Sequence, residues 1–362
     1  MEYKELQPVL NIKLDKIREN YLFIKKQLAS GVSCAAVVKA DSYGLGVSKI
    51  APELYKAGCR EFYVAYAQEG IVLREALGNK PADIFVLNGF SDLSLFEEYK
   101  LIPVLNNLES IEHWSGFNKN IPVVLQLDTG MNRLGLSADD VNKLKSHIEI
   151  LESLDVRYVM SHLACADQKD LHKNEEQLAS FKQLVAELGV SAPLSFANSS
   201  GVFLGADYHF DQVRPGCAIY GINPETGMDN KMQGVIELEA TIIQIRQVKA
   251  GETVGYGANY LVKRATNLAT ISVGYADGFF LLNLADRCSV FIAGHECPIV
   301  GKVSMDLIVA DLSSLEVLPK IGDMVEIIGN HQTVSDLAKH AGTIGYEILT
   351  SLGKRYKRNY LG

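Results

Sequence analysis

Between residues 34 and 216 the chain alternates short apolar runs with amphipathic stretches, and this alternation leaves few folds open. The runs are CAAVVK, EFYVAY, DIFVLN, LIPVLN, IPVVLQLD, VRYVMSH, PLSFAN and DQVRPG. Segments such as VSKIAPELYKAG, AQEGIVLREALG and EEQLASFKQLVAELG, with helical spacing of their apolar residues, lie between them. A run that is apolar throughout, rather than at every second residue, suits a strand buried on both faces. Strands of this kind joined by helices pair in parallel, because the helix carries the chain back to the starting edge. Eight such units in about 200 residues predict a closed (β/α)8 barrel over residues 12–233, with an open doubly wound sheet as the alternative.

After residue 233 the texture changes. VIELEATIIQIRQVKAG, NLATISVGYADG, CSVFIAG, HECPIVG, LIVADL and MVEIIG read as strands separated by Gly- and Asp-containing turns, and only VSDLAKHAG and YEILTSLG look helical. This predicts a mainly antiparallel second domain over residues 234–362, joined by residues 1–11. The basic KRYKR near the C-terminus reads as a solvated tail. A net charge of −8 with no basic stripe argues against nucleic-acid binding. No apolar run approaches the roughly 18 residues of a membrane span. The start, MEYKELQPVLNI, resembles neither a signal nor a transit peptide, so a cytoplasmic location is expected. The six cysteines show no C-x-x-C spacing and read as buried thiols, not as disulfides or zinc ligands, and no metal site is expected.

In a (β/α)8 barrel the C-terminal strand ends form the functional rim. Lys39 ends the first strand, and Asp128, Thr129 and Gly130 follow the fifth. His162 ends the sixth, Asn198 and Ser199 the seventh, and Arg214-Pro215-Gly216 close the eighth. Any one of these is what a polar loop would contain, and it is their joint placement that points to a site. ANSSGV and RPGCAIYG are small and rich in Gly or Ser, so their backbone N–H groups suit a phosphate. A lysine attacks a carbonyl only when neutral, and burial beside Arg133 and Arg214 favours that form. A phosphate site, a carbonyl-seeking lysine and a partner for a pyridine nitrogen, for which Arg214 is the candidate, are the needs of pyridoxal phosphate. A solvated loop lysine is the plainer alternative. A nucleotide-cofactor oxidoreductase is weaker, because the GLG after VVKADSY lacks the full G-x-G-x-x-G.

Taken in order, VVKADSYGLG, LDTGMNRLG, SHLACAD, ANSSG, VRPGCAIYG, VGYG, SVGYADG, GKVSMD and GTIGYE make the chain resemble the alanine racemase family of fold-type III pyridoxal-phosphate enzymes over nearly its whole length. The resemblance implies a racemase interconverting L- and D-alanine and supplying D-alanine for peptidoglycan. A serine or broad-specificity racemase of the same family is the alternative. Lys39 would hold the cofactor and act as one base, with Tyr256 as the other. Tyr43, Ser199, Tyr346 and the backbone N–H groups of Gly216 and Cys217 would hold the phosphate, with Asn198 beside them. Arg214 would face the pyridine nitrogen, and His162 would relay its positive charge towards the second base. Arg133 would orient the cofactor's phenolic oxygen and the substrate carboxylate, while Tyr275 and Met305 would line the substrate entrance. The resemblance also implies a homodimer, with the second domain of one subunit completing the site of the other. Departures from the family pattern are Gln126 in place of a frequently carbamylated lysine, Ser304 in place of a cysteine, Cys217 in place of a branched aliphatic residue, and KRYKRNY in place of an Arg-x-Pro-Arg tail. Without that lysine Arg133 would have to be oriented another way, for which the amide of Gln126 is a candidate.

Overall fold

The computed structural model describes residues 6–117, 121–279 and 288–362. The chain forms two compact units, Ile17–Gln233 and the N-terminal residues up to Lys16 together with Gly234–Gly362.

The first unit is a parallel barrel. Its strands are Ser33–Cys34 continuing as Ala36–Val37, then Glu61–Val64, Asp83–Val86, Leu101–Leu105, Val123–Gln126, Val156–Met160, Leu194–Asn198 and Gln212–Arg214. Each pairs in parallel with its sequence neighbour. The first strand is broken only at Ala35, and its two halves serve opposite edges. Ser33–Cys34 pairs with Gln212–Arg214, and Ala36–Val37 pairs with Glu61–Val64. The sheet therefore closes through this strand, with Ala35 N–H donating to Val213 O at 3.0 Å and Val38 N–H to Tyr63 O at 2.8 Å. Strands such as Leu101–Leu105 and Val123–Gln126 are buried at every residue. That burial on both faces is why their sequences show no alternation. Tyr63, Phe85, Val104, Val124, Tyr158 and Met160 fill the interior, with the Tyr63 and Phe85 rings stacked at 4.5 Å. At the N-terminal end of the strands, Glu61 accepts hydrogen bonds from Tyr158 Oη (2.7 Å) and Ser33 Oγ.

The outer helices bury one stripe each. In Val47–Lys56 the stripe is Val47, Ile50, Ala51 and Leu54, the spacing of a single helix face. The sequence reading assigned no helix before the first strand, yet Leu14–Lys26 is one, with Ile17, Tyr21 and Ile24 buried at the same spacing.

The second unit is mainly antiparallel. The 13-residue strand Ile236–Val248 is its spine. Val9–Lys13 and Met324–Ile328 flank the first part of this strand, and Thr266–Ile271 pairs with the last part. A register shift between Ile242 and Gln244 lets the strand turn from one set of partners to the other. Ser289–Ile292 and His295–Pro298 form a hairpin, and Cys288 and Cys297 near its ends remain free thiols.

The C-terminal segment corrects the reading of a solvated tail. Lys357–Leu361 is an edge strand, paired in parallel with Val9–Lys13. Charged residues are normal on an edge strand because they discourage further pairing, so its composition hid it. Arg355, just before it, donates from Nη1 to Asp306 Oδ1 at 2.7 Å, and its Nε lies 3.1 Å from Asp277 Oδ1. Asp277 is 1% exposed, and its other oxygen accepts the Gly274 N–H at 2.9 Å.

Burial holds the Asp277 carboxyl above its usual range, while the Gly274 N–H and Arg355 oppose the shift. The charged form of Asp277 therefore costs stability at neutral pH, and that cost vanishes once the group is protonated in acid. Removing Arg355 enlarges it. Arg355→Ala is expected to lower the melting temperature most at pH 7 and progressively less towards pH 4. Melts of both proteins across that range check this, and an equal loss at every pH would assign Arg355 a packing role instead.

Candidate active site

Lys39 stands half-buried at the C-terminal end of the closing strand. The four residues after it, Ala40, Asp41, Ser42 and Tyr43, all take left-handed backbone angles, with φ of 52, 54, 55 and 55°. Each such residue costs roughly 1–2 kcal/mol outside glycine, so the surroundings must hold the run. Ala40 N–H donates to Glu69 Oε1 at 2.7 Å, and Val47 N–H donates to Asp41 Oδ1 at 2.7 Å. Ser42 N–H reaches Val38 O at 2.9 Å, and Gly44 N–H reaches Ala40 O at 2.7 Å. The turn brings Tyr43 back over the barrel, where its ring stacks on Tyr220 at 4.5 Å. Tyr220 Oη in turn donates to Val37 O at 3.1 Å. The Tyr43 hydroxyl lies so close to Gly216 that a Cβ there would sit 2.4 Å from it, which explains the glycine in RPGC.

Ser199 ties the loops after the seventh and eighth strands together. Its Oγ accepts the Gly216 N–H at 2.8 Å and the Ala218 N–H at 3.3 Å. Asn198 spans two loops, accepting the Gly201 N–H at 3.0 Å and donating to Leu163 O at 3.2 Å. Burial pushes the Cys217 thiol up, so it stays protonated.

Arg214 is 3% exposed, and among the described residues it forms no salt bridge. Its guanidinium donates to Ser195 Oγ, Ser161 O and, at 3.4 Å, Phe196 O. These acceptors are held by further bonds. Ser195 Oγ lies 2.8 Å from Gln212 Oε1, which also accepts the Tyr63 hydroxyl at 2.7 Å. Ser161 Oγ donates to Leu127 O at 2.7 Å and lies 2.9 Å from Thr129 Oγ1. A buried cation without an anion is expensive unless its donors are used. Guanidinium has five N–H donors, so the arrangement suits a further acceptor supplied by a ligand.

The rim is electropositive. Burial, and then Arg133, lowers the Lys39 amine, while Glu69 opposes them. His162 is pushed down to about 3 by burial and then by Arg214, Arg133 and Lys39. His162 is therefore held towards its neutral imidazole form, in which it can pass on a hydrogen bond.

Arg133 lies on an exposed loop whose backbone is firmly built. Asp128 Oδ1 accepts the N–H groups of Gly130, Met131 and Asn132 at 2.9, 3.0 and 3.1 Å. Gln126 Nε2 donates to Leu134 O at 3.1 Å. Gln126 thus braces the backbone next to Arg133 rather than its guanidinium.

Lys39, Tyr43, Arg133, His162, Asn198, Ser199, Arg214, Gly216 and Cys217 all belong to the barrel, whereas Tyr256, Tyr275, Met305 and Tyr346 belong to the second unit. Tyr256 starts a short turn between Gly255 and Gly257, whose φ values of 73 and 74° few other residues tolerate, and its side chain is 73% exposed. Tyr275 and Met305 sit on loops bonded to each other, through Tyr275 N–H to Ser304 O at 3.0 Å and Ala276 N–H to Met305 O at 2.9 Å. Sequence reasoning missed Glu69, Tyr220 and the Ser161–Ser195–Gln212 support of Arg214. A signal existed only for Glu69, as a carboxylate in the first turn of the helix Ala67–Leu77.

A strand-end lysine with a lowered amine, a buried arginine held by neutral oxygens and a hydroxyl-braced glycine loop on one barrel rim define a site of the pyridoxal-phosphate barrel class. Comparison with known proteins narrows this. Residues 12–224 match the alanine racemase N-terminal domain, and residues 235–360 match the alanine racemase C-terminal domain. A catabolic alanine racemase of Mesorhizobium japonicum is 45% identical, with 98% of this chain and 93% of that one covered. An alanine racemase of Brucella ovis is 43% identical at the same coverage. The crystal structure of the Bartonella henselae alanine racemase, with covalently bound pyridoxal phosphate, superposes with a TM-score of 0.95 at 41% identity, covering 99% of this chain and all of that one. The biosynthetic alanine racemase of Pseudomonas aeruginosa superposes at 0.90 with 32% identity, again covering 99% of this chain and all of that one. The chain belongs to the alanine racemase family.

Two outcomes follow from the site. Gly216→Ala is expected to displace the Tyr43 hydroxyl and weaken pyridoxal-phosphate binding by roughly tenfold or more, in line with overpacking costs of about 1–3 kcal/mol. Titration of the cofactor-free protein measures this, and unchanged binding would show that the contact yields freely. His162 is neutral when folded down to about pH 3, whereas the unfolded chain protonates it near pH 6.5. Between those values the unfolded state binds the extra proton, so stability falls as pH drops. His162→Gln should flatten that acid limb by about 1.4 kcal/mol per pH unit, read from urea unfolding at a series of pH values.

Proposed function

We propose that the protein interconverts L- and D-alanine by a two-base mechanism, with Lys39 and Tyr256 as the bases. The carrying observation is the half-buried Lys39 amine, kept towards its neutral form at an electropositive barrel rim. Pyridoxal phosphate fits the residues present. Among the described residues the buried Arg214 has no anionic partner, and a Cβ on Gly216 would stand 2.4 Å from the Tyr43 hydroxyl. When bound, the cofactor supplies an electron-withdrawing ring that stabilises negative charge at the substrate Cα.

Lys39 holds the cofactor through its amine. Tyr43, Ser199, Tyr346 and the backbone of Gly216 and Cys217 hold the phosphate, with Asn198 fixing the adjoining turn. Arg214 remains charged and has no acceptor, so it would hold the pyridine nitrogen as a hydrogen-bond donor. Arg133 orients the substrate carboxylate, Met305 offers it backbone, and Tyr275 narrows the entrance. Lys39 removes or returns the Cα proton on one face and Tyr256 does so on the other. A single base would tend to return the proton to the face it came from. His162 contributes as a neutral hydrogen-bonding group beside Arg214.

We further propose a homodimer in which Tyr256, Tyr275 and Met305 of one copy complete the barrel site of the other. The 73% exposure of Tyr256 and 53% exposure of Met305 in the single chain support this reading. Two enantiomers in water have an equilibrium constant of one, so the reaction itself does not separate a catabolic from a biosynthetic use. The use we propose is supply of D-alanine for peptidoglycan in the cytoplasm, a compartment that suits six free cysteines. Among the described residues no helix is long and apolar enough to cross a membrane.

Borohydride reduction of the purified protein should fix the cofactor on Lys39, as mapped by mass spectrometry. Tyr256→Phe should retain the cofactor but lose racemase activity in both directions by about 100-fold or more. Racemisation at the parent's rate in that variant would remove Tyr256 from the mechanism. Deletion of the gene should create a requirement for D-alanine, and a serine substrate panel separates the alanine enzyme from a broader racemase.

A further inference from the structure

One carboxylate joins the ends of the first two barrel strands. Glu69 Oε2 accepts the N–H of Ala65 at 2.7 Å and that of Tyr66 at 3.3 Å, just beyond the second strand. Its Oε1 crosses to the Ala40 N–H at 2.7 Å, the peptide directly after Lys39. Capping the helix Ala67–Leu77 uses only the first oxygen, so the second is committed to the turn behind the lysine. That turn is the left-handed run Ala40–Tyr43, which is unfavourable without external support. Released from Glu69, the peptide after Lys39 is free to relax to right-handed angles. Such a relaxation would redirect both Lys39 and Tyr43, the two groups this segment sends to the site.

We propose that Glu69 is a positioning residue for Lys39, holding through the Ala40 N–H the left-handed turn that aims the lysine and Tyr43, and adding a negative charge to the surroundings of the amine. The inference rests on the reading of Lys39 as the cofactor lysine. The charged and titratable groups facing the amine are Arg133 from the loop after the fifth strand, His162 at the end of the sixth, and Glu69 from its helix. Arg133 favours the neutral amine, and Glu69 alone favours the protonated one.

The test compares Glu69→Gln and Glu69→Ala with the parent as holoenzymes. The first readout is the rate at which the cofactor is lost on dialysis, followed by its visible absorbance. Glu69→Ala should lose it at least tenfold faster than the parent, with Glu69→Gln in between because its amide keeps one acceptor. The second readout is the pH profile of kcat for each enantiomer. Glu69→Gln should move the acid limb to lower pH for the enantiomer from which Lys39 takes the proton, identified by its response to Tyr256→Phe as the one whose proton Tyr256 does not remove, and leave the acid limb for the other enantiomer in place. A merely structural glutamate would move both limbs together or neither. Circular dichroism verifies folding, and if Glu69→Ala does not fold, Glu69→Gln decides. Borohydride labelling of the parent separates the two possible failures. A label away from Lys39 overturns the cofactor-lysine reading and this proposal with it. A label on Lys39, with cofactor retention and both profiles unchanged in the variants, overturns the role of Glu69 alone.

Discussion

The barrel closes through one short strand, and the candidate site hangs from that closure. Ser33–Cys34 bonds to the eighth strand and Ala36–Val37 to the second, so the peptide at Val38 is held from both sides when the chain reaches Lys39. A lysine on a free loop would lose several rotatable bonds on binding a ligand. Here the backbone is fixed by ladder hydrogen bonds on either side, and the strained turn that follows is fixed by Glu69 and Asp41. The strain is affordable because the closed sheet beneath it is buried and continuous.

The rim gathers positive charge from Lys39, Arg133 and Arg214. Arg214, Arg133 and Lys39 all act on His162, and at Lys39 Glu69 opposes burial and Arg133. Such a surface repels itself, and an anionic ligand relieves the repulsion. The polar support beneath Arg214 consists of neutral oxygens from Ser161, Ser195 and Phe196, which orient the guanidinium without cancelling its charge. A carboxylate in their place would satisfy the arginine and leave less reason for it to seek a ligand acceptor.

The second unit follows a different logic. Its residues of interest, Tyr256, Tyr275 and Met305, lie on turns set by glycines and by backbone bonds rather than at strand ends. The Gly274 position shows how closely these turns are packed. A Cβ there would stand 2.4 Å from the carbonyl oxygens of both Ser304 and Met305. The Arg355 ion pairs to Asp277 and Asp306 link the same two loops from the other side.

The eight barrel strands were legible in the amino-acid order because burial on both faces demands unbroken apolar runs, and Lys39, His162, Ser199 and Arg214 were legible as the polar residues that end them. Order along the chain also marked the change to an antiparallel domain after residue 233. It did not reveal Lys357–Leu361 as a strand, since an edge strand buries too little to impose an apolar pattern. Nor could it reveal the left-handed run after Lys39, for Ala, Asp, Ser and Tyr carry no glycine-like signature and their angles are imposed by bonds to distant residues. The amine shift at Lys39, the neutrality of His162 and the tie from Glu69 to Ala40 depend on groups far apart in the chain. Coulomb interactions and burial are set by distance in space, and only the closed barrel brings these groups within reach of one another.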